Sequence, residues 1–230
     1  MCLLMDKVIA LVPMKGHSER VSNKNIRDFD GQPLFFRILD TLTKAKCIKS
    51  IYIDTDSDEI ARLALENFDV NIIKRPEKLI GDYVSMNEII KYDLTQITDE
   101  YFIQTHATNP LLKAETIDNA VNTYLDSTSK NDSLFSVTRL QTRLYDQYLN
   151  PINHNPEVLM RTQDLPPVYE ENSNFYIFSK QGFHRINRRI GEKPMFYEVE
   201  KDEALDIDEE IDFIIAENLY KMKNTKQESK

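Results

Sequence analysis

Residues 8–27, VIALVPMKGHSERVSNKNIR, run from five apolar residues straight into a basic loop, and this junction sets the reading of the fold. Val8-Ile9-Ala10-Leu11-Val12 has no polar position, as expected of a strand covered on both faces in a parallel sheet. The same grammar repeats downstream. Leu34, Phe35, Ile38, Leu39 and Leu42 recur at helical spacing, and residues 50–54 read as a second strand. Ile60, Ala61, Ala64, Leu65 and Phe68 mark the next helix, and residues 71–74 a third strand stopped by Arg75-Pro76. Met86, Ile89, Ile90, Leu94 and Ile97 restore the helical period. Residues 101–105, a helix through Ile117, Ala120, Val121, Tyr124 and Leu125, and residues 133–137 continue the alternation. This pattern predicts an α/β domain with a mostly parallel sheet flanked by helices.

From residue 141 to about 172 the period is lost in a stretch rich in Asn, Gln, Pro and Tyr. A structureless connection of that length is uncommon, so it reads as a functional loop or a small extension. Residues 174–178 and 196–199 read as later strands. Ile211, Ile214, Ile215, Leu219 and Met222 predict the apolar face of a last helix, with a polar tail fraying after Lys221.

The 230 residues fit one such domain, spanning 1–230, with 141–172 as its appendage. Formal net charge is −9, which argues against a nucleic-acid or anionic-membrane surface. Gly16, Gly31, Gly81, Gly182 and Gly191 are too dispersed for a G-x-G-x-x-G or Walker-type loop, so a dehydrogenase is disfavoured. Cys2 and Cys47 form no C-x-x-C pair, and sparing use of thiols fits a reducing compartment. Asp6 and Lys7 interrupt the apolar start before a signal-peptide core could form, and no run reaches membrane-spanning length, so a cytoplasmic location is expected.

Three polar clusters fall after predicted strands, where open sheets collect ligands. The loop 15–27 sets Lys15, Arg20, Lys24 and Arg27 against Glu19 alone, enough to hold a polyphosphate without glycines, although a solvated loop would look the same. Asp54 and Asp56 share a strand face, and Asp56 with Glu59 also has the spacing of a helix cap. Asp206 and Asp208 alternate around Ile207, so both carboxylates can enter one cleft as hard ligands for Mg²⁺ (or Mn²⁺) with substrate phosphates. Acids before a helix also meet its dipole, which accounts for Glu209 and Glu210 but not for the alternation. A basic loop and an acidic pair together are phosphoryl-transfer equipment. His17, His106, His154 and His184 are too scattered for a metal set.

With those residues quoted, the chain resembles the acylneuraminate cytidylyltransferases, the CMP-sialic acid synthetases. The likeness starts in the loop after the first strand. It continues through IDTDSDEIA (53–61), NIIKRPEKLIGDYVS (71–85), FIQTHATNPLL (102–112), YEENSNFYIF (169–178) and ALDIDEEID (204–212). The resemblance implies a Rossmann-like domain whose irregular middle helps form a homodimer. It implies a reaction in which the anomeric hydroxyl of a nine-carbon α-keto acid sugar attacks the α-phosphorus of CTP, releasing pyrophosphate for surface glycan biosynthesis. It assigns Lys15, Arg20, Asn25, Arg75 and Gln104 to the nucleotide and Lys24 to the α-phosphate. Asn172 and Gln163 go to the sugar, and Asp206 and Asp208 to catalysis and the metal. Several positions depart from the pattern: Lys15 replaces arginine, Glu19 replaces lysine and Ser22 replaces proline. No arginine follows residues 106–112, and Glu170 stands where arginine is common. The last two point toward a sialic-acid-like nonulosonic acid, such as a legionaminic or pseudaminic derivative, over sialic acid itself. The alternatives are a non-catalytic or altered-specificity relative, or a CMP-Kdo synthetase, which fits less well because Asn25 follows Lys24.

Overall fold

The computed structural model describes residues 7–18 and 20–228, with side chains described through residue 225. The apolar start, Cys2 and Glu19 therefore lie outside the described residues, and with them the readings placed there.

Among the described residues, β1 is Val8–Leu11, and its alternation separates two cores. Val8, Ala10 and Val12 face α1 (Leu34–Lys44), α2 (Asp58–Asn67) and α4 (Ala114–Ser127), meeting Phe35, Ile38, Ile60, Ala64 and Val121. Ile9 and Leu11 face Ile90 and Leu94 of α3 (Met86–Gln96) and Phe183 of α5 (Lys180–Ile186). With both faces covered, the strand has no position for a polar side chain. Burying each such Ile or Leu stabilises the fold by about 1.5–3 kcal/mol.

The sheet runs β5 (Asn71–Lys74), β4 (Ile48–Thr55), β1, β6 (Tyr101–Thr105), β8 (Val168–Ser179), β7 (Ser133–Leu140), β9 (Pro194–Glu198). β8 alone runs against its neighbours; the other pairings place the remaining strands in one direction. The chain builds outward from β1 to β5, then returns through α3 to β6 on the other side of β1. That reversal opens a crevice beyond the carboxyl ends of β1 and β6.

β8 begins at Val168 and not at residue 174, so the irregular stretch closes at 167. Pairing of β7 with β8 shifts between Phe135 and Val137, Ser173 takes φ 58°, and Ser136 Oγ bonds both N–H and C=O of Phe175. This bulge breaks the period-two pattern by which the strand would be read. A two-stranded hairpin, β2 (Asp28–Phe29) and β3 (Gln32–Pro33), and α5 had no legible periodicity.

The last helix, α6 (Glu210–Glu228), packs by a different face from the one its spacing predicts. Ile211, Ile214, Ile215 and Met222 are exposed, whereas Phe213 and Ala216 are buried with Val21, Phe29 and Ile207. Aromatic contacts select that face: Phe29 meets Phe213 edge-on at 5.4 Å and Tyr220 at 5.5 Å, and the Arg27 guanidinium lies 4.1 Å over Phe213. The helix also continues past Lys221 to Glu228, held near its end by Lys223 Nζ to Asp202 at 2.8 Å.

Candidate active site

The loop after β1 is fixed from below. Met14 bridges to Thr55 of β4, and Gly16 N–H donates to Asp56 Oδ1 at 2.6 Å. A Cβ at Gly16 would stand 2.8 Å from Ser57 Cβ, so only glycine lets the loop lie this close to α2. The cap of α2 is Ser57, whose hydroxyl accepts from Ile60 N–H; Asp56 is therefore not the cap but the loop's anchor. Asn25 Nδ2 donates to Lys15 C=O at 3.0 Å and closes the loop on itself.

Above it lies a cavity of about 370 Å³ at the carboxyl ends of β1 and β6. Lys15, Lys24, Asn25, Arg75, Asp206 and Asp208 line it, with His106, Thr108 and Ser173. Arg20 joins through Asp208, 2.6 Å away. Lys15 reaches across to Asp82 at 2.5 Å.

Ile207 is buried against Val21 and Phe213, so its neighbours Asp206 and Asp208 take the cavity side. Lys24 Nζ donates to Ile207 C=O at 2.5 Å and stands 3.9 Å from Asp208. Burial lowers the Lys24 pKa, opposed by Asp206 and Asp208. Burial raises that of Asp206, against a hydrogen bond from Thr108. Asp206 Oδ1 is buried without a partner. An orphaned carboxylate oxygen beside a second carboxylate fits a hard divalent cation, with substrate phosphates supplying the remaining oxygens. Glu210 does more than face the helix dipole: both its oxygens pair with Arg27 at 2.6 Å.

Two features escaped the sequence. Asp93 of α3 is fully buried behind the Arg75–Asp54 pair, whose Nε–Oδ1 distance is 2.5 Å. Burial and the Asp54 charge push Asp93 up to about 9, so it stays protonated at neutral pH. Its signal was an acid at the helical spacing of Met86, Ile89, Ile90 and Leu94. His106 is half-buried on the cavity wall and pushed down to about 3 by desolvation, Arg189 and Lys24, so it is neutral.

Gln104, Asn172 and Gln163 do not line this cavity. Gln104 is fully buried and accepts from Arg189 Nη1 at 2.6 Å. Asn172 bonds Thr138 Oγ1 and accepts from Asn174 N–H. Gln163 is exposed, in the extension, where its carbonyl accepts from Gln141.

The profile of the cytidylyltransferase family matches residues 9–229. An N-acylneuraminate cytidylyltransferase of Escherichia coli is 26% identical over 96% of this chain, which spans 54% of that protein's length. A pseudaminic acid cytidylyltransferase of Campylobacter jejuni is 24% identical over 94% of this chain and 97% of its own. A solved CMP:2-keto-3-deoxy-manno-octonic acid synthetase complexed with CTP has the same fold, with TM-score 0.71 at 10% identity over 95% of this chain and 100% of that one.

Proposed function

The chain belongs to the cytidylyltransferase family, and on that premise we propose that it transfers CMP from CTP to the anomeric hydroxyl of a sialic-acid-like nonulosonic acid. The observation that carries this reading is Lys24, a largely buried ammonium held by Ile207 C=O beside Asp206 and Asp208. In-line attack joins the sugar oxygen to the α-phosphorus and expels pyrophosphate, so charge must be met at both oxygens. Lys15 and Arg20 are suited to the triphosphate, and Lys24 to the α-phosphate. Arg75, fixed by Asp54, is suited to the nucleotide. Mg²⁺ or Mn²⁺ held by Asp206 and Asp208 would neutralise phosphate charge. The curated relatives named above act on N-acylneuraminate and pseudaminic acid, which supports a nonulosonic acceptor.

We also read the chain as a homodimer in the cytoplasm. The extension displays Tyr148, Leu149 and Leu159 at 76%, 80% and 90% exposure, a surface suited to a second copy. Among the described residues no helix is long and apolar enough to cross a membrane. The test is pyrophosphate release from CTP, ATP, GTP and UTP with N-acetylneuraminic, legionaminic, pseudaminic and Kdo acids, with and without Mg²⁺. Release confined to CTP plus a nonulosonic acid is expected. Release with Kdo alone, or with no acceptor, overturns the reading.

A further inference from the structure

Next to the main cavity lies a second, about 350 Å³, lined by Asn87, Glu171, Arg188, Arg189, Ile190 and Gly191. Residues of α3 and of β8 contribute to both. Met86 and Ile89 of α3 line the first, and Asn87 the second; Ser173 of β8 lines the first, and Glu171 the second. Arg189 sits at the junction by three ties. Its N–H donates to Asn87 Oδ1 at 3.3 Å. Its Nη1 donates to Gln104 Oε1 near the end of β6, two residues before the cavity-lining His106 that follows the strand. Its guanidinium lies 3.6 Å over the Tyr176 ring, and the Tyr176 hydroxyl contacts Ser173 Oγ at 3.1 Å.

The groups in direct contact with Arg189 are neutral, and the Glu171 charge reaches it only from a distance, raising its pKa against burial. Among the described residues no carboxylate pairs with it within 4 Å, and burial lowers its pKa. Glu171 on the opposite wall is engaged by the Tyr176 hydroxyl. Every other buried or half-buried cation of the site has an acidic partner: Lys24 has Asp208, and Arg75 has Asp54. A desolvated guanidinium held by an amide oxygen and a ring retains donors for a planar anion, which it can grip with two parallel N–H bonds. His106 on the wall of the first cavity feels the charge of both Lys24 and Arg189, which places both cations near it. In the ring form of an α-keto acid sugar, the carboxylate sits on the carbon that bears the attacking hydroxyl. A hydroxyl near the Lys24 side therefore brings its carboxylate within one or two bonds of the same point.

We propose that Arg189 binds the carboxylate of the acceptor sugar and that the adjoining cavity receives the rest of that sugar. This rests on the acceptor being a nonulosonic acid, as read above. The Glu171 carboxylate and Asn87 amide then face the hydroxyl and amide substituents of the sugar chain.

The test compares whichever of N-acetylneuraminic, legionaminic or pseudaminic acid turns over best with its methyl ester, in wild type, Arg189→Ala and Arg189→Lys. The wild type should lose about thirtyfold or more in kcat/KM on going from acid to ester. Arg189→Ala should lose a similar factor on the acid, with KM for CTP within twofold, and show an acid-to-ester ratio near one. Arg189→Lys, which keeps the charge and the fold, should recover part of the ratio. An acid-to-ester ratio in Arg189→Ala equal to the wild type's overturns the inference and leaves the proposed reaction standing. Equal rises in KM for CTP and for sugar overturn it in favour of a packing role. A wild type that turns over no nonulosonic acid overturns the parent reading and this inference with it.

Discussion

Lys24 reaches 183 residues along the chain to the carbonyl of Ile207, closing at 2.5 Å the seam between the basic loop and the acidic pair. The lysine is oriented by backbone and charged by two flanking carboxylates, so the same bond that stabilises it also aims it.

Lys24→Ala is expected to lower kcat on the order of a hundredfold while changing KM for CTP less, because its charge is needed most as the α-phosphate is attacked. The side chain is only 13% exposed, so the substitution also carries a modest stability cost, about 1–3 kcal/mol for a charged hydrogen bond. Steady-state kinetics and melting of Lys24→Ala beside Lys7→Ala check this. A kcat within twofold of the control would remove Lys24 from the chemistry.

Asp206→Asn should melt close to the wild type and lose most Mg²⁺-dependent turnover. Its orphaned oxygen carries no fold-stabilising bond. Because burial raises the Asp206 pKa in the metal-free protein and a cation must displace the proton, Mg²⁺ affinity should weaken as the pH is lowered. Unchanged turnover in Asp206→Asn would mean that these acids serve only the start of α6.

Asp93 gives a stability prediction with a definite sign. Its folded pKa, about 9, exceeds the unfolded value, so the folded state holds a proton that the unfolded state releases above pH 4. The stabilisation is complete below that value and is lost as pH climbs toward 9. Asp93→Asn, which cannot ionise, should flatten this decline. Thermal melts from pH 4 to pH 9 should show the variant gaining on the wild type with each step upward; parallel curves would place Asp93 among ordinary acids.

Leu159→Asp, at an exposed tip of the extension, should shift sedimentation from dimer to monomer with little change in melting temperature at low concentration. A wild type that already sediments as a monomer at micromolar concentration contradicts the assembly.

Legibility in the sequence followed how local each cause was. β1 announced itself because both faces are buried and five consecutive positions had to comply. Asp206 and Asp208 were readable because their placement needs only the pleat and one buried Ile207. On α6, five apolar residues at helical spacing outweighed Phe213, Ala216 and Tyr220; the deciding contacts come from Phe29 and Arg27, more than 180 positions away. Arg189 was silent for the same reason: what holds its guanidinium is Gln104, 85 residues upstream, and a tyrosine on a bulged strand. Asn172, which the resemblance assigned to the sugar, has its amide engaged by Thr138 and Asn174 and lies off the lining of the main cavity.

The seam between the loop and the acidic pair also has a history in time. At ~5–20 residues per second, a ribosome makes Lys24 about 10–40 s before Ile207. Through that interval the nascent chain carries its cations without Asp206, Asp208 or Glu210, and Val21 and Phe29 without the helix that covers them. β1, β4, β5 and β6 can pair in the meantime, so a sheet forms ahead of any competent site. Premature termination before residue 206 would thus leave a sticky, phosphate-attracting fragment and no partial enzyme.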